Sequence, residues 1–127
     1  MAFVSAGKAA VADLVGGVTG AAVFDYLAVG TGTTAVAAGD TTLETEVAAS
    51  GLSRAQDSSP TRTTTNVTND TLVLNYTFTV TGSVTIGEAG VFNASSGGTL
   101  LARTVLSPTK GVSSGDSYTL TYNLVFA

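Results

Sequence analysis

The chain has 127 residues, with nine acidic and five basic side chains and neither cysteine nor histidine. These absences exclude disulfides and thiolate nucleophiles, and they remove the commonest general base and transition-metal ligand. The net charge of −4 argues against a nucleic-acid partner, and no apolar run reaches the roughly 18 residues of a membrane span. We therefore expect no enzymatic activity, no cofactor, no metal site, and neither a nucleic-acid nor a membrane partner.

The Ala-rich stretch Ser5–Val15 predicts a short N-terminal helix, with Ser5 as its N-cap and Gly16-Gly17 as its end. Asp13 interrupts the apolar run that a secretory signal needs, so we expect this segment to belong to the mature fold. Its narrow apolar stripe could lie on the protein's own sheet, which we favour, or on another subunit. The stripe consists of Val4, Val11, Leu14 and Val18.

Val23–Val29 predicts a strand, and the following Gly30–Ala35 matches G-x-G-x-x-A. A dinucleotide site would need a long helix next and then a parallel strand. Gly39-Asp40 interrupts the chain too soon for that helix. We interpret the segment as a Gly/Thr turn.

Thr41 and Glu44 have the spacing of a capping box, which predicts a one- or two-turn helix through Val47. Asp40, Glu44 and Glu46 could offer oxygens to Ca²⁺, but they lack the spacing of an EF-hand. We interpret them as solvated carboxylates at a helix start.

The clearest strand signal is the alternation in Thr71–Thr81, with Val73 as the single exception. The loop Ser50–Pro60 and a polar strand, Thr61–Thr68, precede it, and Asn69-Asp70 makes the hairpin turn. The residues assigned to its buried face are Leu72, Leu74, Tyr76, Phe78 and Val80.

Ser83–Ile86 and Thr99–Leu106 predict further strands around a Gly-rich bend. Glu88 lies in that bend, where its carboxylate is expected to accept backbone N–H bonds. The C-terminal stretch Asp116–Ala127 alternates again, which is typical of an antiparallel sheet with one wet face. Its predicted buried face consists of Tyr118, Leu120, Tyr122, Leu124 and Phe126.

Together these elements predict a mainly β fold over residues 1–127. We expect one domain, an antiparallel β-sandwich or barrel-like structure of about seven or eight strands with a short N-terminal helix.

Three segments carry a family resemblance: Tyr26–Thr34 (YLAVGTGTT), Asp40–Glu46 (DTTLETE) and Ile86–Arg103, which contains EAGVF and LLAR. As a set they resemble small structural proteins of tailed bacteriophages, and the resemblance covers nearly the whole chain. The E-x-G-x-F pattern is also similar to pieces of tail-fibre and tail-collar proteins. The resemblance implies a virion component without catalytic residues, on either the head or the tail.

Within that class we expect a capsid decoration (cement) protein on the head surface, which binds the major capsid protein and is a homo-oligomer. A single compact domain and a sparsely charged, Thr-rich surface favour this role. The alternatives are a tail, baseplate or tail-fibre component, with tail proteins as partners, and a host-receptor or carbohydrate-binding module. The expected contact residues are Phe3, Val4, Val11, Leu14, Leu52 and Arg54.

Overall fold

The computed structural model describes residues 2–126, which form two antiparallel sheets and one helix. This confirms the predicted mainly β, sandwich-like class with a short N-terminal helix. The elements are β1 Ala2–Phe3, α1 Ser5–Gly16, β2 Tyr26–Gly30, β3 Ala55–Gln56, β4 Thr61–Thr63, β5 Thr71–Thr79, β6 Val84–Phe92, β7 Leu100–Val112 and β8 Ser117–Val125.

The smaller sheet has the order β4-β5-β8. Strands β5 and β8 pair without interruption from Thr71 opposite Val125 to Thr79 opposite Ser117. The larger sheet has the order β1-β7-β6-β2-β3. The main apolar core contains residues of both sheets, such as Leu74 and Phe78 from β5 and Val91 from β6. The two alternating strands therefore supply the core as predicted.

Two aromatic residues depart from the predicted buried faces. Tyr76 is 37% exposed, with its ring edge-on to Phe78 at 4.8 Å between centroids. Phe126 follows the end of β8 and is about half exposed, with its ring 5.3 Å from that of Phe3.

β2, most of β6 and the first part of β7 are buried on both sides, because the segment 31–49 covers the outer face there, whereas residues 107–111 of β7 are exposed. A second apolar cluster lies beneath this segment, and Gly90 of β6 leaves room for it. A Cβ at Gly90 would lie only 2.7 Å from Leu43 Cδ2. The cluster consists of Val4, Ala28, Leu43, Phe92 and Leu100.

Helix α1 packs against β7 through Gly7, where an added Cβ would lie 2.3 Å from the carbonyl oxygen of Leu101. The predicted cap at Ser5 is wrong. Val4 occupies the N-cap position without a side-chain cap, and the Ser5 amide donates to the Ala38 carbonyl at 2.8 Å. The predicted end is confirmed, since Gly17 adopts φ 62° in the left-handed region.

Two other local predictions are wrong. Thr41–Val47 is not helical, because Glu44 bonds to residues 33 and 34 instead of closing its own capping box. The polar strand predicted over Thr61–Thr68 is reduced to Thr61–Thr63. Its remainder wraps around the Asp70 carboxylate, which accepts the amides of residues 65 to 67.

Candidate functional site

The most deeply buried charge of the fold is Glu88, which lies on β6 and is 0% exposed. Its Oε2 accepts the amides of Gly32 at 2.9 Å and Thr45 at 2.7 Å. Its Oε1 accepts the Glu44 amide and Arg103 Nε, both at 2.8 Å. The prediction that this carboxylate accepts backbone N–H groups is confirmed, but the predicted bend is wrong, because Glu88 lies within strand β6 and the donors belong to the covering segment.

Burial and hydrogen bonding act in opposite directions on the two charges. Burial raises the pKa of Glu88, but the amide of Thr45, the guanidinium of Arg103 and further amides outweigh it, so the net pKa lies below the usual value. Burial likewise lowers the pKa of Arg103, and its bond to Glu88 outweighs this and raises the pKa. Both groups are therefore charged at neutral pH.

This cluster explains the glycines of the G-x-G-x-x-A segment. A Cβ on Gly30 or Gly32 would lie 2.5 Å from Glu88 Oε2. Glu44 completes the arrangement by accepting the amides of Thr33 at 2.9 Å and Thr34 at 3.1 Å. The glycines make room for a protein carboxylate, so the turn interpretation is the one the structure supports.

Arg54 forms a second ionic anchor. Its guanidinium makes two bonds to the Glu46 carboxylate, at 2.7 and 3.1 Å, and lies 3.5 Å above the centre of the Phe92 ring. The same group donates to the carbonyls of Ala94 at 3.0 Å and Gly97 at 2.8 Å. Arg54 therefore joins three loops within one chain.

These clusters hold the fold together. Nearly all polar atoms of Glu88, Arg103 and Arg54 are already bonded within the chain. Within residues 2–126, no group of three or more His, Cys, Asp or Glu side chains could hold a metal ion.

The exposed apolar surface lies beside α1 and is the stronger candidate for a functional site. We call it the α1 groove. It encloses about 750 Å³ between the helix and the edge of the sandwich. Val15, 85% exposed, and Val23 lie on its rim, and Val18 is exposed just past the helix. A concentration of large exposed apolar side chains is typical of an interaction surface. Its apolar lining includes Val11, Leu14, Val15, Val23, Leu72 and Phe126.

The structure separates the six predicted contact residues into two groups. Val11 and Leu14 line the α1 groove, and Phe3 contacts its floor through Phe126. Val4 and Leu52 are fully buried, and Arg54 is engaged inside the chain, so these three are internal packing residues.

Val15 and Val23 were not among the predicted contact residues, and Phe126 was assigned to the buried face of the C-terminal strand. The available signal was Val15 immediately before the Gly16-Gly17 stop, where the helix ends and its apolar side chain has nothing to cover it.

Most of the aromatic residues that could stack on a sugar are not available for it. Phe24 and Phe92 are buried, and Phe3 is half-buried against Phe126. Tyr76 is the exposed ring of the sheet region. The carbohydrate-binding alternative therefore has two exposed rings in its favour, Tyr76 on β5 and Phe126 after β8.

The chain matches a known protein family. The sequence model of a family described as podophage GP4 fiber I protein gp80 matches residues 5–125. No curated protein matches the chain. Within residues 2–126, no helix is both long and apolar enough to cross a membrane.

Proposed function

The chain belongs to the family described as podophage GP4 fiber I protein gp80, and from this premise we propose that it is a structural subunit of a bacteriophage fibre. It is a small phage structural protein of the virion. The observation that carries the proposal is the family match over residues 5–125, which includes the helix and seven of the eight strands.

The hydrogen-bonded buried charges of the fold support a structural role. The buried charges are held by several hydrogen bonds each, and they fix the loops to the sheets. The α1 groove leaves an apolar surface for a neighbouring virion protein, which in this proposal is a tail protein. Self-association of several copies is part of the same proposal.

Capsid decoration is the second candidate function. It is favoured by the compact two-sheet architecture, in which residues 2–126 contain no repeated shaft segment. In this alternative the partner is the major capsid protein. Many copies would then stabilise the assembled shell by mass action, because each binds the shell and not its free subunits.

The experiment that tests the fibre proposal is localisation of the protein on intact virions. Gold-labelled antibodies against the purified chain are imaged on particles, and quantitative mass spectrometry gives the copies per particle. The fibre proposal predicts label confined to fibres and few copies per particle. Label spread evenly over the head, with copies comparable in number to the major capsid protein, would overturn it in favour of capsid decoration.

A further inference from the structure

Within residues 2–126, the smaller sheet has a long edge without a neighbouring strand, and this edge is β8. The bonds at its two ends show which backbone groups face outward. Val80 donates to the Asp116 carbonyl and Phe126 donates to the Asp70 carbonyl, so even-numbered residues of β8 bond to β5. In an antiparallel ladder, alternate residues direct their N–H and C=O groups to opposite sides. The outward set is therefore Ser117, Thr119, Thr121, Asn123 and Val125.

The opposite edge of the same sheet is protected against pairing. Beyond the short strand β4, the outward amide of Asn75 on β5 donates to the Asp57 carboxylate at 2.8 Å, and Asp57 is only 8% exposed. Arg62 places a charge on β4, and the preceding Pro60 has no backbone N–H to donate. Inward charges, exposed charges and prolines are the devices that keep edge strands from associating.

The edges of the larger sheet are protected as well. β1 and β3 are two residues long, and β7 carries Pro108 and Lys110 beyond the part that pairs with β1. Ser117–Val125 contains neither a charged residue nor a proline. Among the described strands, β8 is thus the long edge that lacks protection.

We propose that β8 pairs antiparallel with β8 of a second copy of this chain, which joins two three-stranded sheets into one six-stranded sheet. Full overlap of the nine-residue strand with itself places Thr121 opposite the partner's Thr121. Thr121 belongs to the outward set, so the donors and acceptors of the two strands match in this register. The pairing forms about ten backbone hydrogen bonds.

The chemistry of the strand identifies a second copy as the occupant. An uncharged edge meets its own copy without like-charge repulsion, although the whole chain carries −4. Threonine hydroxyls already bond across this sheet, since Thr77 Oγ1 and Thr119 Oγ1 lie 2.9 Å apart. The new pairing continues that row of threonines across the two-fold axis. The inference goes beyond the virion role, because it concerns how two copies join and applies to either location.

The test is a charge-swap experiment on the full-length chain by sedimentation equilibrium. The unmodified protein is expected to reach twice the 12.6 kDa chain mass. Thr121→Lys and Thr121→Glu should each weaken the dimer at least about tenfold, because like charges face each other across the axis. An equimolar mixture of the two variants should recover the dimer. Thr79→Lys, exposed on β5 and away from the edge, is the matched control and should leave the dimer intact.

Amide hydrogen exchange on the unmodified protein gives an independent readout. The amides of Thr119, Thr121 and Asn123 should be protected at high concentration and should exchange faster on dilution. A monomer at all concentrations, a dimer that survives Thr121→Lys, or a mixture that stays monomeric would each overturn the proposal. None of these outcomes depends on where the protein lies in the virion, so this proposal and the fibre proposal can fail separately.

Discussion

Glu88 shows how one side chain organises distant parts of the sequence. Its carboxylate joins residues 32, 44 and 45 to β6, and its partner Arg103 reaches Asp40 at 3.3 Å. A buried charge is tolerated only when it is paired and hydrogen-bonded. The segment 31–46 and the larger sheet therefore depend on the same carboxylate.

Glu88→Gln should destabilise the fold by about 3–5 kcal/mol, because Arg103 would keep a buried charge without its counter-charge. The side-chain NH₂ group of the new glutamine would also face backbone N–H donors and could not accept their hydrogen bonds. Urea denaturation at neutral pH measures the free energy of unfolding. Glu44→Gln, an exposed carboxylate in the same segment, is the control and should cost less. Equal losses for the two variants would contradict this view of the buried pair.

The turn between β4 and β5 should lose stability in acid, because the Asp70 carboxylate holds it together. Amides of Val67, Thr65 and Asn66 bond to its carboxylate and hold its pKa well below the usual 3.8. A carboxyl group with a lowered folded-state pKa contributes stability that is complete above the unfolded value and is lost as the pH falls through the folded value. Thermal melts should therefore show a decline below about pH 3.8, and Asp70→Asn should flatten that part of the curve. An unchanged pH profile in Asp70→Asn would show that other carboxylates cause the decline.

At the scale of elements, the sequence predicted those strands whose environment is simple. β5 and β8 have one face on the core and one in solvent, so their alternation is visible in the sequence. β6 is buried on both faces, and its run IGEAGVF shows no period. Its partners Leu43 and Arg103 lie far away along the chain, and a local pattern carries no information about them.

The same reasoning explains the wrong prediction of a helix after Thr41. The capping box at Thr41–Glu44 is a weak local preference, and Glu44 gains bonds from residues 33 and 34 instead. The candidate contact residues were partly predictable. Apolar helix positions indicated Val11 and Leu14, but nothing local distinguishes the buried Leu52 from an exposed loop leucine.

The contact between α1 and β7 depends on Gly7. Alanine in a helix is ordinarily favoured over glycine by about 1 kcal/mol, but at position 7 the added Cβ would lie 2.6 Å from the Leu101 Cα. Gly7→Ala should therefore destabilise the protein by about 1–3 kcal/mol. Gly16→Ala, where the nearest atom to the added Cβ belongs to the exposed Val18 side chain, should not destabilise it. Chemical denaturation of both variants checks the difference. A stabilised Gly7→Ala would show that the helix shifts without cost.

At the scale of the whole molecule, some charged side chains are paired inside the fold, whereas apolar side chains are exposed beside α1. Arg54 and Arg103, two of the five basic side chains, form ion pairs within the chain. Three of the exposed valines, Val15, Val18 and Val23, lie around the end of α1. Such a molecule has little surface charge to keep it soluble alone and an apolar groove to cover, which fits a component of an assembly.

The α1 groove should be needed for incorporation into virions. Val15→Asp places a carboxylate on its rim, and an assembled neighbour would bury that charge without a partner. Because Val15 is 85% exposed in the single chain, the free energy of unfolding should change by less than about 0.5 kcal/mol. Incorporation should fall at least about tenfold, measured by quantitative mass spectrometry of particles from cells that express only the variant. Val67→Asp, 63% exposed in the turn between β4 and β5, is the matched control and should be incorporated normally. If both variants were incorporated equally, the virion contact would lie on a surface other than the α1 groove.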